Sequence, residues 1–171
     1  MSPDPPQLCD VELKFRTVLA APPERVFAAI TRVEHLTHWL CDAAESDPRL
    51  GGRLALTWRR PGASAEPFVA EWVTFEAPAA CAFSGGQSEH PNGHGGRIDW
   101  ALEAADGGTL LKTRHSMPPH LDYAPVAQRY TLAWPRALLL VAASVFAGPA
   151  LADDALTVFA AASLKIGRAH V

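Results

Sequence analysis

Histidine is the side chain best suited to acid, base or metal chemistry near neutral pH, and this chain has seven. His35 and His38 stand three apart in a stretch of helical spacing, beside Glu34. A tetrahedral metal site would need a third ligand at the same point, so exposed helix histidines are the plainer expectation. His90 and His94 have the spacing of a helical metal pair. Pro91 and Gly93 forbid the helix that would align them, and a loop is expected. His115 ends an alternating run and shares a face with Leu111 and Thr113. If that face lines an interior, His115 is the histidine best placed for a polar contact to a ligand. The alternative is a structural histidine with its hydrogen bonds satisfied.

Other chemistry-bearing patterns are missing. No HExxH, P-loop, nucleophile elbow or dinucleotide fingerprint occurs. Ser84-Gly85-Gly86 reads as a turn, and no two carboxylates form an evident catalytic pair. Cys9, Cys41 and Cys81 are odd in number and widely spaced, with no CxxC, so reduced thiols in a cytoplasmic protein are expected. No metal and no cofactor are expected. The formal net charge of −3 comes without a basic run, which argues against nucleic acid as a partner. The N-terminus, Met1-Ser2-Pro3-Asp4-Pro5-Pro6, lacks the cationic start and apolar run of a secretory signal.

The aromatic residues are more informative. Trp39, Trp58, Trp72, Trp100 and Trp134 are many for 171 residues, and Phe27, Phe68 and Phe83 join them. Ligand pockets are mostly apolar and aromatic with a few polar groups. The pocket candidates are Phe27, Trp39, Trp58, Trp72, Phe83, Trp100, His115 and Trp134. Core packing must claim several of them, and sequence alone does not divide wall from core.

The elements that must hold these side chains follow from periodicity. Hydrophobic residues at 49% and charged residues at 19% allow a real core. Residues 1–10 are Pro-rich and expected to be a disordered tail. Val11, Leu13, Phe15, Thr17 and Leu19 alternate with Glu12, Lys14 and Arg16, the pattern of a half-buried strand. Pro22-Pro23-Glu24 suits a helix start, with Val26, Phe27 and Ile30 on one face. Val33, Leu36, Trp39 and Leu40 mark a second short helix. From Asp47 the period becomes two. Leu54, Leu56 and Trp58 share one strand face. Residues 68–76 form another strand, with Phe68 and Trp72 on one face and Val69, Val73 and Phe75 on the other. Shorter strands pass through Cys81 and Phe83 and through Ile98, Trp100 and Leu102, with a loop over 84–96. Asp106-Gly107-Gly108 is a hairpin signal leading into Thr109 to His115. Successive strands with short turns make an antiparallel meander. After Pro118-Pro119 the spacing is helical, and Pro125 suits a helix start before Tyr130 and Trp134. The fold class expected is α+β.

This order resembles the START-like superfamily, also called SRPBCC or birch-pollen-allergen-like. Within it, the chain is similar to the bacterial family related to the activator of the heat-shock chaperone ATPase. The resemblance rests on Ala20-Ala21-Pro22-Pro23-Glu24-Arg25-Val26-Phe27, on His38-Trp39-Leu40, on Asp47-Pro48-Arg49-Leu50-Gly51-Gly52-Arg53, on the strand ending at Trp58, and on Ala133-Trp134-Pro135-Arg136-Ala137-Leu138. It covers roughly residues 11–138. Pro135 departs from the family pattern and predicts a kink in the last helix. The resemblance implies a helix-grip fold, a curved antiparallel sheet around a C-terminal helix enclosing a cavity. It implies no single activity, since members bind lipids, hormones or polyketides, act as cyclases, or serve as co-chaperones. The leading expectation is a non-catalytic module that binds a small apolar molecule. The alternatives are a cyclase- or hydrolase-like enzyme using Arg114 or His115, and a co-chaperone that meets a chaperone through its outer surface.

The C-terminal stretch reads differently. Residues 136–152 run from a basic residue through an apolar segment and a helix breaker to Ala150-Leu151-Ala152, the parts of a signal peptide. The segment is too short for a comfortable bilayer span, and no membrane partner is expected. Residues 155–165 resemble the first strand of periplasmic molybdate-binding proteins, in which the serine matching Ser163 contacts the oxyanion. The remainder of such a protein does not follow, so no anion site is expected. The last six residues match the translation of a sequencing-adapter read. A composite reading frame is therefore expected, with one domain over 11–147, residues 137–147 completing its terminal helix, and a non-native, unstructured tail over 148–171.

Overall fold

A computed structural model of the chain describes residues 9–59, 66–85, 96–120, 123–146 and 160–168. The first strand, β1 (Cys9–Leu19), follows the alternation, with Leu13, Phe15, Thr17 and Leu19 buried. It begins inside the stretch 1–10 expected to be a tail; residues 1–8 lie outside the described residues. Helix α1 (Pro23–Thr31) opens with proline in its first turn and Glu24 near the positive end of its dipole. Val26, Phe27 and Ile30 face the core. Helix α2 (Val33–Trp39) buries Leu36 and Trp39.

A meander follows: β2 (Ala43–Ser46), β3 (Arg53–Thr57), β4 (Phe68–Glu76), β5 (Ala80–Gly85), β6 (Gly96–Ala105) and β7 (Gly108–His120). The β6–β7 hairpin turns at Gly107, whose φ of 77° suits a residue without a side chain. The short β2 was not legible in the sequence, because four residues carry too little alternation. The sheet order is β2-β3-β4-β5-β6-β7-β1-β8, antiparallel at every pairing. The first strand thus lies next to the seventh, and α1 with α2 carries the chain back across the concave side. Helix α3 (Tyr123–Phe146) packs against β1, α1 and α2. Arg25 Nη2 donates to the Val145 carbonyl at 2.6 Å and ties α1 to the end of α3.

Two expectations need correction. Phe75 does not share a face with outward Val69. A bulge between Trp72 and Thr74 adds one residue to β4, which reverses the alternation beyond it. Phe75 therefore returns to the inner side, edge-on to Trp72 and Phe27. The second concerns the tail expected to be unstructured over 148–171. Within it β8 (Ala160–Arg168) pairs with β1, from Cys9↔Arg168 to Thr17↔Ala160. An edge strand presents unpaired N–H and C=O groups that accept any extended segment. Residues 147–159, including the Thr157–Phe159 piece, lie outside the described residues.

The apolar segment after Arg136 is integral to the core. Leu138, Val141, Ala142 and Val145 are buried on the sheet-facing side of α3. The helix continues through Pro135, which leaves one backbone donor out of its ladder.

Candidate ligand cavity

Between α2, α3 and the concave side of the sheet lies a cavity of about 530 Å³. That volume falls in the range of small-molecule sites. The sheet supplies Leu56, Phe68, Phe83, Gly96, Ile98 and His115. Helix α2 and the residue after it supply Trp39 and Leu40, and the residue after β3 supplies Trp58. Helix α3 supplies Tyr130, Ala133, Trp134, Ala137 and Leu140, with Arg129 and Arg136. Strand alternation explains the sheet side, since only inward positions contribute. The helical side is a repeat at 130, 133, 134, 137, one stripe of a helix.

Hydrogen bonds lock several walls. Trp39 Nε1 donates to the Ala29 carbonyl at 2.9 Å, fixing α2 against α1. Trp58 Nε1 donates to the Leu40 carbonyl at 2.5 Å, closing β3 onto the end of α2. Aromatic rings meet edge to face around the space, Trp58 with Phe68 at 6.2 Å and Phe68 with Phe83 at 6.4 Å.

His115 is the polar centre of the wall. It is 6% exposed, and its Nδ1 accepts a hydrogen bond from Trp134 Nε1 at 3.1 Å. Burial lowers its pKa from 6.5 to about 4, because the interior disfavours the imidazolium. The ring is therefore neutral at pH 7 and, with Nδ1 accepting, holds its proton on Nε2. The Nε2–Cδ2 edge faces Gly96; a Cβ there would stand 3.4 Å from Nε2 and 2.9 Å from the Ser116 carbonyl oxygen. Tyr130 packs on the imidazole at 4.6 Å between centroids.

The eight candidates divide. Trp39, Trp58, Phe83, His115 and Trp134 line the cavity. Phe27, Trp72 and Trp100 do not; they pack in the core beside it. Phe27 meets Phe75 at 5.3 Å under α1. Trp72 is fully buried and donates from Nε1 to Ser46 Oγ at 3.0 Å. Trp100 is buried between Trp39, Phe83 and Trp134. Arg114, weighed as a pocket group, points to the opposite face of the sheet and pairs with Glu12. A second hollow, about 650 Å³, spreads over that face among Lys14, Arg16, Asp99, Lys112 and Arg114. No helix covers it among the described residues.

Sequence reading passed over Arg129, Tyr130 and Arg136. The signal was available as an i, i+4, i+7 stripe through Tyr130, Trp134 and Ala137 on the last helix. His35 and His38 lie on α2, half-buried and exposed respectively. His90 and His94 lie outside the described residues. Among the described residues no three His, Cys, Asp or Glu side chains are grouped as a metal site would require. Cys41 and Cys81 are free and buried, and burial raises both thiols, Cys41 to about 11. No helix among the described residues is long and apolar enough to cross a membrane.

A curved antiparallel sheet wrapped on a long C-terminal helix, with an aromatic cavity between them, defines a helix-grip protein of the SRPBCC type. The model of the family described as Activator of Hsp90 ATPase homolog 1-like protein matches residues 20–138, and the chain belongs to that family. No curated protein matches the sequence. Solved structures share the fold at low identity. A Mesorhizobium loti protein superposes with a TM-score of 0.68 at 15% identity, over 79% of this chain and 96% of that one. A Rhodobacter sphaeroides protein gives 0.67 at 23%, over 80% and 93%. The Aha1 dimer from Colwellia psychrerythraea gives 0.62 at 15%, over 82% and 99%.

Proposed function

We propose that this protein binds a small, largely apolar molecule in the cavity between α2, α3 and the sheet. The carrying observation is a space of about 530 Å³ walled by Trp39, Trp58, Phe68, Phe83, Tyr130 and Trp134, with one neutral buried imidazole in the wall. Such walls reward an apolar guest through area removed from water, and His115 Nε2–H offers it one hydrogen bond. The free, buried thiols of Cys41 and Cys81 support a reducing, cytoplasmic setting.

The neutral dye phenylnaphthylamine tests this reading. It should bind saturably near one equivalent and quench tryptophan emission, because Trp39, Trp58 and Trp134 surround the space. Absence of saturable binding to protein that still unfolds cooperatively would reject it. The family match favours a second reading, in which a chaperone is met through the outer surface. Purified Hsp90 at micromolar concentration should then shift the elution of this protein, with the dye still bound.

A further inference from the structure

The cavity is apolar in its depth and cationic at its opening. Arg129 and Arg136 both line it and both are exposed, so they stand where it meets solvent. They are seven residues apart on α3, two turns, or about 10 Å along the axis, and thus project from one side of the helix. Tyr130, Ala133 and Ala137 lie on the cavity stripe between and beside them. Neither arginine forms an ion pair with an acid among the described residues. The described lining contains no Asp or Glu. This occurs in a chain whose net charge is −3. Several cations elsewhere are paired, Arg114 and Lys14 with Glu12, Arg97 with Asp99, Lys112 with Glu103, while exposed Arg16, Arg32 and Arg59 have no described ion pair but do not line this cavity. Two arginines without described acid partners at the rim of an otherwise neutral cavity make a local positive potential there.

Resting on the reading that the cavity holds a ligand, we propose that the ligand is an amphipathic acid. A ring-bearing apolar body occupies the aromatic chamber, and a carboxylate is held at the opening by Arg129 and Arg136. Guanidinium matches a carboxylate in shape as well as charge, and its charge-assisted hydrogen bonds are stronger than neutral ones. The aromatic walls select a ring-bearing body, since rings pack edge to face against rings. Neutral His115, deeper in the wall, adds no charge that would compete for the anion.

Competition against bound phenylnaphthylamine separates this proposal from the one beneath it. Naphthoate should displace the dye with an affinity roughly tenfold above that of naphthoate methyl ester, the ordinary order for a partly exposed charge-assisted pair. The advantage should shrink as salt rises. The double variant Arg129→Gln/Arg136→Gln should bring the acid to the level of the ester, each measured against the dye's own affinity for that variant. Arg16→Gln, on the outer face, should alter neither. Equal displacement by acid and ester, displacement by neither, or a preference that survives the double variant would overturn the proposal and leave the apolar cavity standing. Failure of the dye itself to bind would remove both.

Discussion

Two regions of this molecule are made of the same material and end differently. Under α1, Phe27, Phe75, Trp72 and Phe83 pack edge to face at centroid distances of 5.3–5.7 Å. Across the sheet, Trp58, Phe68, Phe83, Tyr130 and Trp134 surround a space of about 530 Å³. Phe83 belongs to both, and Trp100 joins it to Trp134. The rings form one continuous series from packed core to open wall. What differs is the second layer. α1 lies directly on the first region and fills it with Val26, Phe27 and Ile30. α3 sets Tyr130 and Trp134 beside the second with small Ala133 and Ala137 next to them, and leaves the space between open. Aromatic content marks neither region as a site; the covering helix makes the distinction.

The sharpest way to break this comparison is to remove one ring from the packed side. Trp72→Ala should cost about 3–5 kcal/mol in urea unfolding, the usual loss for a buried aromatic, and more than the loss of a half-buried wall ring such as Phe68. A loss below about 1 kcal/mol would mean that this region is not closed.

The next effect is in pH. The folded-state pKa of His115 lies near 4, below its unfolded value of 6.5. Between these values the unfolded chain takes up a proton that the folded protein refuses. Stability should therefore fall as pH drops from about 7 to 4, by about 2–3 kcal/mol from this group, and level off below. Denaturation series for wild type and His115→Gln should differ in slope over that window. Parallel curves would show that the imidazole is not held neutral.

A smaller effect is expected on the wall. Phe68 is half-buried, so Phe68→Ala should cost about 1–2 kcal/mol, less than a core ring, while changing dye affinity more than Trp72→Phe does. A cost equal to that of Trp72→Ala would place Phe68 in the core and shrink the difference between the regions.

The smallest effect concerns β8. It sits on the β1 edge, at the end of the sheet order. Ending the chain after Ala152 should shift stability by less than about 0.5 kcal/mol and leave dye binding intact. Loss of cooperative unfolding would show that the edge pairing supports the domain.

Much of this was legible from the residues. Period-two alternation located β1, β3, β4, β6 and β7, and apolar helical spacing located α1 and α2, because burial on one face imposes those periods. Five of the eight pocket candidates stand in the cavity wall, and Trp39 is buried, tied to Ala29 by its indole. Periodicity tells only which face of an element is turned inward. It does not tell what stands opposite. Phe27, Trp72 and Trp100 point inward just as Trp58 and Phe83 do, and only the placement of α1 and α3 separates filled interior from open chamber. Phe75 changed sides through a one-residue bulge that leaves no mark in composition. The residues after Arg136 carry the composition of a signal peptide yet bury Leu138, Val141, Ala142 and Val145 against the sheet. An apolar helix is defined by its composition, but whether it meets a bilayer, a pocket or a core depends on the surface folded beside it. Local sequence thus determined the elements and their inward faces. Long-range packing decided which inward faces touch, because that depends on chain crossings no local pattern records.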